Sequence, residues 1–123
     1  MGRIIARMSE ILLKRAYDPP HPDDGVRILV ERLWPRGVSR EAAALDHWVK
    51  DVAPSPELRK WYGHAPDKWP EFQERYRDEL DGNTDAVAEL RSICASGTVT
   101  FVFAAKDEIR NSATVLRAYL IDT

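Results

Sequence analysis

The chain has 123 residues, 44% hydrophobic and 31% charged, which is enough apolar content for one folded core and too little net charge for an unfolded chain. Eighteen basic and twenty acidic side chains leave a net charge of −2, so bulk electrostatics oppose a nucleic-acid partner. One cysteine excludes an internal disulfide and the thiolate-rich zinc sites, and no apolar run approaches the ~20 residues of a bilayer span.

Residues 1–8 are basic and slightly apolar and lack the apolar stretch of a signal peptide. They read as a flexible arm before a single α/β domain over 9–123, with Met8 an alternative start and the cytoplasm the expected compartment. Residues 10–16 read as a first strand. Three prolines and Gly25 make residues 18–25 a loop. Residues 26–31 are a second strand with the apolar density of a central one. Arg32-Leu33-Trp34-Pro35-Arg36-Gly37 breaks it, and Ser39 caps a short helix through Ala44.

Residues 46–52 are expected as a third strand. Ser55, with Pro56 behind it, caps a helix that stops at Gly63. Asp67 opens a longer helix whose stripe is Trp69, Phe72, Tyr76 and Leu80. Thr84 starts another, with Val87, Leu90, Ile93 and Cys94 inward. Thr98-Val99-Thr100-Phe101-Val102-Phe103 is the clearest strand, since it is wholly β-branched or aromatic. A last helix spans about 110–120.

Strands separated by helices imply a small, mostly parallel sheet of about four strands with helices packed against it. The second, third and fourth strands are expected to be mutually parallel. The link between the first and second is too short for a helical crossover, so an antiparallel pairing stays open there.

In such a sheet ligands bind beyond the strand carboxyl ends. That rule gathers Arg32, Trp34 and Arg36 after the second strand, Lys50 and Ser55 after the third, and Lys106, Asp107 and Asn111 after the fourth. Arg36 and Lys106 are expected in one pocket. Cations, a helix start and an indole wall suit an anionic small molecule bearing phosphate or carboxylate. Against this stands simple pairing across the rim, Arg32 with Asp107 and Lys106 with Glu31. Trp34 either stacks on a ligand or closes the core. His64 offers a near-neutral acid or base, or merely a capping imidazole. Ser55 is explained by capping alone.

The scattered His21, His47 and His64 make no metal pattern, no cofactor is implied, and Cys94 falls on a buried helix stripe. The alternatives to anion binding are a nucleic-acid regulator using the Arg27–Arg40 surface, and an interaction or homodimer module anchored on Trp48, Trp61 or Trp69. Whether the chain is an enzyme, and whether it is monomer or homodimer, stays open.

Residues 14–20, the Gly25-to-Gly37 segment ending in Arg32-Leu33-Trp34-Pro35-Arg36-Gly37, Ala53-Pro54-Ser55, residues 58–64 and Ala105-Lys106-Asp107 together resemble the YeaO-like family of bacterial proteins of unknown function. The resemblance covers about residues 11–120. It implies a compact α/β domain and attaches no activity. Where longer relatives place a cysteine near the end of the last strand, this chain has Phe103 and Ala104, which weakens a thiol or rhodanese-like mechanism. Glu31 stands where the family usually has aspartate, and Ser112 where histidine is common.

Overall fold

The structure is a computed structural model that describes residues 10–122, so the arm expected over 1–8 lies outside the described residues. At the middle of the sheet is β4 (Val99–Phe103), buried along its whole length. β1 (Ile11–Arg15) pairs with one edge of β4 and β2 (Val26–Leu29) with the other. The two-residue β3 (His47–Trp48) adds to β2, giving the order β1-β4-β2-β3 with every pair parallel. Leu13 and Ile28 both lie opposite Phe101, so the register sets one apolar row across three strands.

The second, third and fourth strands are parallel, as expected. The first and second are not an antiparallel pair: β4 enters between them and runs parallel to both. The expected third strand is also shorter. Val49 N–H donates to Leu29 O at 2.9 Å, and the chain then coils into a 3-10 turn at Lys50–Val52 that buries Val52 completely.

Side chains alternate across the sheet. Ile11, Ile28, Val99, Phe101 and Phe103 face the thick layer, made by α2 (Pro56–Tyr62), α3 (Trp69–Asp81), α4 (Thr84–Cys94) and α5 (Ser112–Asp122), which contribute Leu58, Tyr76, Leu90 and Leu116. A 3-10 turn at Pro66–Lys68 leads directly into α3, so the expected start at Asp67 falls inside that turn. Ala16, Leu29 and Val102 face the thin layer, covered by Trp34, Leu45 and Trp48. Also on that side is α1 (Arg40–Ala43), whose first turn is capped by Ser39.

The link from β1 to β2 must return to the start of the sheet to enter parallel, and it does so against β4. Thr100 Oγ1, fully buried, donates to Asp24 O at 2.7 Å. Gly25 has φ +64° and lies so close to β4 that a Cβ there would sit 2.0 Å from Thr98 O. The Asp24 carboxylate accepts from Arg27 Nη1 at 2.6 Å, Lys14 Nζ at 2.9 Å and His21 N–H at 3.0 Å. Arg27 spends its other donors on Ala43 O, at the end of α1. Burial pushes the Asp24 carboxyl up, and the donors of Lys14, His21 and Arg27 together outweigh it, leaving the group below its ordinary 3.8.

Removing one member of this buried pair strands the other charge. Asp24→Ala should therefore cost about 3–5 kcal/mol in urea unfolding at neutral pH. A lowered carboxyl contributes stability above its ordinary pKa and loses it as pH falls through the folded value. The gap between wild type and D24A should accordingly narrow in acid below the ordinary 3.8.

Candidate functional site

Beyond Leu29 the chain leaves β2 for the thin layer, whereas beyond Phe103 it turns into α5 on the thick one. Neighbouring parallel strands whose continuations part to opposite faces leave a crevice at their carboxyl ends. A cleft of about 490 Å³ opens there. Its walls are Glu31 and Arg32 from the end of β2, Ala104 and Ala105 from the end of β4, the start of α5, and one side of α2. The size suits a small molecule.

The inner surface is apolar. Tyr62 and Phe72 stack with centroids 4.5 Å apart, beside Ala53 and Pro54. The rim is cationic, with exposed Arg59, Lys60 and Arg110. Two polar groups lie deeper. Glu31 Oε1 accepts the Ala104 N–H at 3.1 Å. Burial raises the Glu31 carboxyl above its ordinary 4.5, although the Ala104 N–H and the charge of Arg59 pull the other way. Next to it in sequence, Arg32 holds its Nε buried with no hydrogen-bond partner. A buried, unpartnered guanidinium nitrogen is rare enough in folded proteins to need an explanation.

Of the residues expected at the site, Arg32, His64 and Asn111 line this cleft. His64 is exposed, in the left-handed region at φ 58°, with its ring 6.1 Å from that of Tyr62. Asn111 is buried and committed to structure: Oδ1 accepts Thr114 N–H at the start of α5, and Nδ2 donates to Asp107 O. Asp107 is half-buried at the edge. Its Oδ1 accepts the amides of Arg110 and Ile109, and its Oδ2 accepts Arg110 Nε at 2.9 Å. Those amides, with the Arg110 charge, hold the carboxyl below its ordinary value. Asp107 thus steadies Arg110 at the rim.

Ser55 is fully engaged, donating from N and Oγ to Glu79 and accepting from Leu58 N–H. Trp34, Arg36, Lys50 and Lys106 are not among the lining residues. Trp34 belongs to the thin layer, where its Nε1 donates to Val38 O and its ring meets Trp48 edge-on at 5.4 Å. Lys50 Nζ sits 4.1 Å over the Trp48 ring. Arg36 and Lys106 are exposed, and Arg36 O accepts the Tyr17 hydroxyl. Among the described residues no ion pair joins Arg32 to Asp107 or Lys106 to Glu31. Trp48, Trp61 and Trp69 are half-buried rather than exposed.

Arg59, Lys60, Arg110, Tyr62 and Phe72 escaped sequence reasoning. In the sequence the first three are ordinary polar helix-face or loop positions. The one signal for Arg59 was its place a turn beyond the Ser55 cap of the helix following β3. Cys94 is buried in α4, away from the cleft, with burial pushing its thiol up to about 11. Among the described residues no three His, Cys, Asp or Glu side chains gather as a metal site, and no helix is long and apolar enough to cross a membrane.

The fold and the cleft define a small parallel α/β protein with a ligand-sized crevice at its switch point. The family model described as "Inactive DUF488-N3 subclade" matches residues 10–123. The chain is 41% identical over 116 residues to the uncharacterised protein Rv3073c of Mycobacterium tuberculosis, covering 94% of this chain and 98% of that one. It is also 41% identical over 111 residues to the uncharacterised protein YeaO of Escherichia coli, covering 89% and 96%. The chain belongs to this DUF488-N3, YeaO-like family, whose function is unknown. No solved structure matches it.

A carboxyl raised on folding contributes most below its ordinary range and loses that contribution as pH rises through its folded value. Glu31→Gln keeps an acceptor for Ala104 N–H without the charge. It should therefore gain on wild type as pH rises from about 4 to about 8, read as urea midpoints. A difference that stays flat with pH would show that Glu31 is not held as described.

Proposed function

We propose that the switch-point cleft binds an anionic small molecule bearing phosphate or carboxylate. The observation that carries this reading is the Arg32 guanidinium, whose buried Nε has no acceptor within the protein. An oxyanion would supply one, and charge-assisted bonds of this kind are the strong ones. Arg59, Lys60 and Arg110 add positive charge around the mouth. The opening turn of α5 adds the positive end of a helix, with Asn111 already serving the Thr114 amide. Tyr62, Phe72 and the exposed Leu33 would receive the ligand's carbon portion.

Binding without turnover is the simpler form of this reading. The cleft presents no thiol, and the family model's own description calls its subclade inactive. His64 is the lining group suited to proton transfer if chemistry does occur.

A ligand present at about ten times its Kd stabilises the folded state by about 1.4 kcal/mol, roughly 5 °C in Tm for a domain of this size. Inorganic phosphate should produce such a rise, against chloride at matched ionic strength. The double variant Arg32→Ala with Arg59→Ala should abolish it, while Arg36→Ala with Lys106→Ala should leave it intact. No rise in wild type overturns the reading. A rise that survives the first pair, or vanishes with the second, moves the site out of the cleft.

A further inference from the structure

The cleft that carries four cationic side chains also carries a carboxyl group, an awkward neighbour for an anion. Glu31 and Arg32 both line it, because the chain bends after β2 and strict alternation of side chains ends there. An oxyanion held in the cleft by Arg32 therefore shares its walls with Glu31. One Glu31 oxygen is already taken by the Ala104 N–H. An ionised carboxylate only accepts hydrogen bonds, so it repels any ligand oxygen that also only accepts. A ligand oxygen carrying a proton instead makes a short O–H···O⁻ bond to it.

We propose that Glu31 makes this cleft select oxyanions that bring a proton of their own, inorganic hydrogen phosphate being the simplest, over fully deprotonated ones such as sulfate. The selection works by exclusion: the anion site rejects the analogue that leaves a buried acceptor facing another acceptor. This rests on the anion-binding reading above and specifies the ligand class for the same cleft.

The groups facing Glu31 are few and nameable. Arg32 follows it in sequence, Arg59, Lys60 and Tyr62 come from α2, and His64 follows that helix. Tyr76 comes from α3, its hydroxyl pushed up by burial first and by the charges of Glu79 and Glu31 after it. Arg110 stands before α5, paired with Asp107. Glu31, its carboxyl raised by burial, is the group on which the selection turns. When Glu31 takes up a proton it becomes a donor, and the bar against sulfate should lift.

Sulfate and hydrogen phosphate are tetrahedral dianions of similar size, so near pH 8 they differ mainly in the proton. Titration calorimetry at constant ionic strength should give phosphate an affinity ~10–100-fold above sulfate near pH 8, with the ratio falling severalfold near pH 5. In Glu31→Gln, whose amide can donate or accept, the two anions should bind within about threefold of each other at both pH values. His64→Gln should keep the wild-type ratio near pH 8 and its fall in acid. Sulfate binding near pH 8 should take up a proton, seen as a dependence of heat on buffer ionisation, while phosphate binding should not.

Equal affinities near pH 8 in wild type, or a ratio that persists in E31Q, overturn the selection while leaving the anion site standing. A ratio that loses its pH dependence in H64Q assigns the effect to the imidazole and overturns the role of Glu31. Binding of neither anion overturns the selection and the anion-binding reading together. Should E31Q not fold, the wild-type affinities near pH 8 and the proton taken up with sulfate but not with phosphate still decide the matter, equal affinities or no uptake overturning the selection.

Discussion

β4 is made last of the four strands yet must lie in the middle of the sheet, and most of the architecture answers to that constraint. Buried on both faces and paired on both edges, it lies between β1 and β2 and keeps them from pairing. The two N-terminal strands have no ladder of their own. β1 joins the sheet only through β4, whose partner residues lie 88 positions further along, and β2 reaches β4 across 73 positions while pairing otherwise only with the two-residue β3, so the N-terminal segment cannot complete its structure without the rest of the chain. Contacts of such long sequence separation make folding slow and cooperative rather than local. The same arrangement explains why a polar cluster sits where a core would be expected. The link between β1 and β2 has too few residues for a helix, so it covers β4 with backbone. Backbone so placed must have its hydrogen bonds met. Thr100 Oγ1 donates to Asp24 O, Lys14 Nζ donates to Pro19 O, and the Asp24 carboxylate accepts the His21 N–H.

From this follow two unequal layers. The thick side is an ordinary helix-on-sheet core, continuous from β1 to α5. The thin side is three buried residues under two tryptophans whose indole nitrogens are both satisfied by backbone carbonyls, Trp34 by Val38 and Trp48 by Glu31. The Trp48 bond ties the thin layer to the carbonyl of Glu31, whose side chain lines the cleft. Packing of the tryptophans and geometry of the crevice are therefore one problem. A change that loosens Trp48 would be felt at the cleft wall although the indole never touches it.

Much of this was legible in the sequence for identifiable reasons. The β-branched and aromatic run at 98–103, the Ser39 and Ser55 caps, Gly63 at the end of α2 and the stripe of α3 are local signals, and each produced the element it implies. Parallel pairing of β2 with β3 and β4 followed from the intervening helices. Strand order did not follow, because nothing local to residues 10–31 records that a distant segment will insert between them. For the same reason the rule of the strand carboxyl ends pointed to the end of the sheet where the cleft opens but not to which side chains line it. Arg32 and Arg36 are equally cationic on paper. One follows the strand closely enough to be drawn into the crevice, and the other lies past the Trp34-Pro35 turn in solvent. Arg59 and Arg110 arrive from helix and loop positions that sequence periodicity treats as solvated surface.

The crevice is also where local rules are broken at a cost to stability. A carboxyl held in a poorly solvated site and a guanidinium nitrogen lacking an acceptor each weaken the folded state, and both fall on consecutive residues, Glu31 and Arg32. Elsewhere in the same protein buried charge is handled differently: Asp24 and Arg27 saturate one another and the nearby carbonyls, and neither faces an opening. These two arrangements, less than ten residues apart, differ in whether the buried polar groups find partners within the protein. A pair kept for the fold is closed on itself. Glu31 and Arg32 instead line a cavity with an aromatic inner wall and a cationic mouth, and under the proposed function a bound group able to accept from one and donate to the other would complete both.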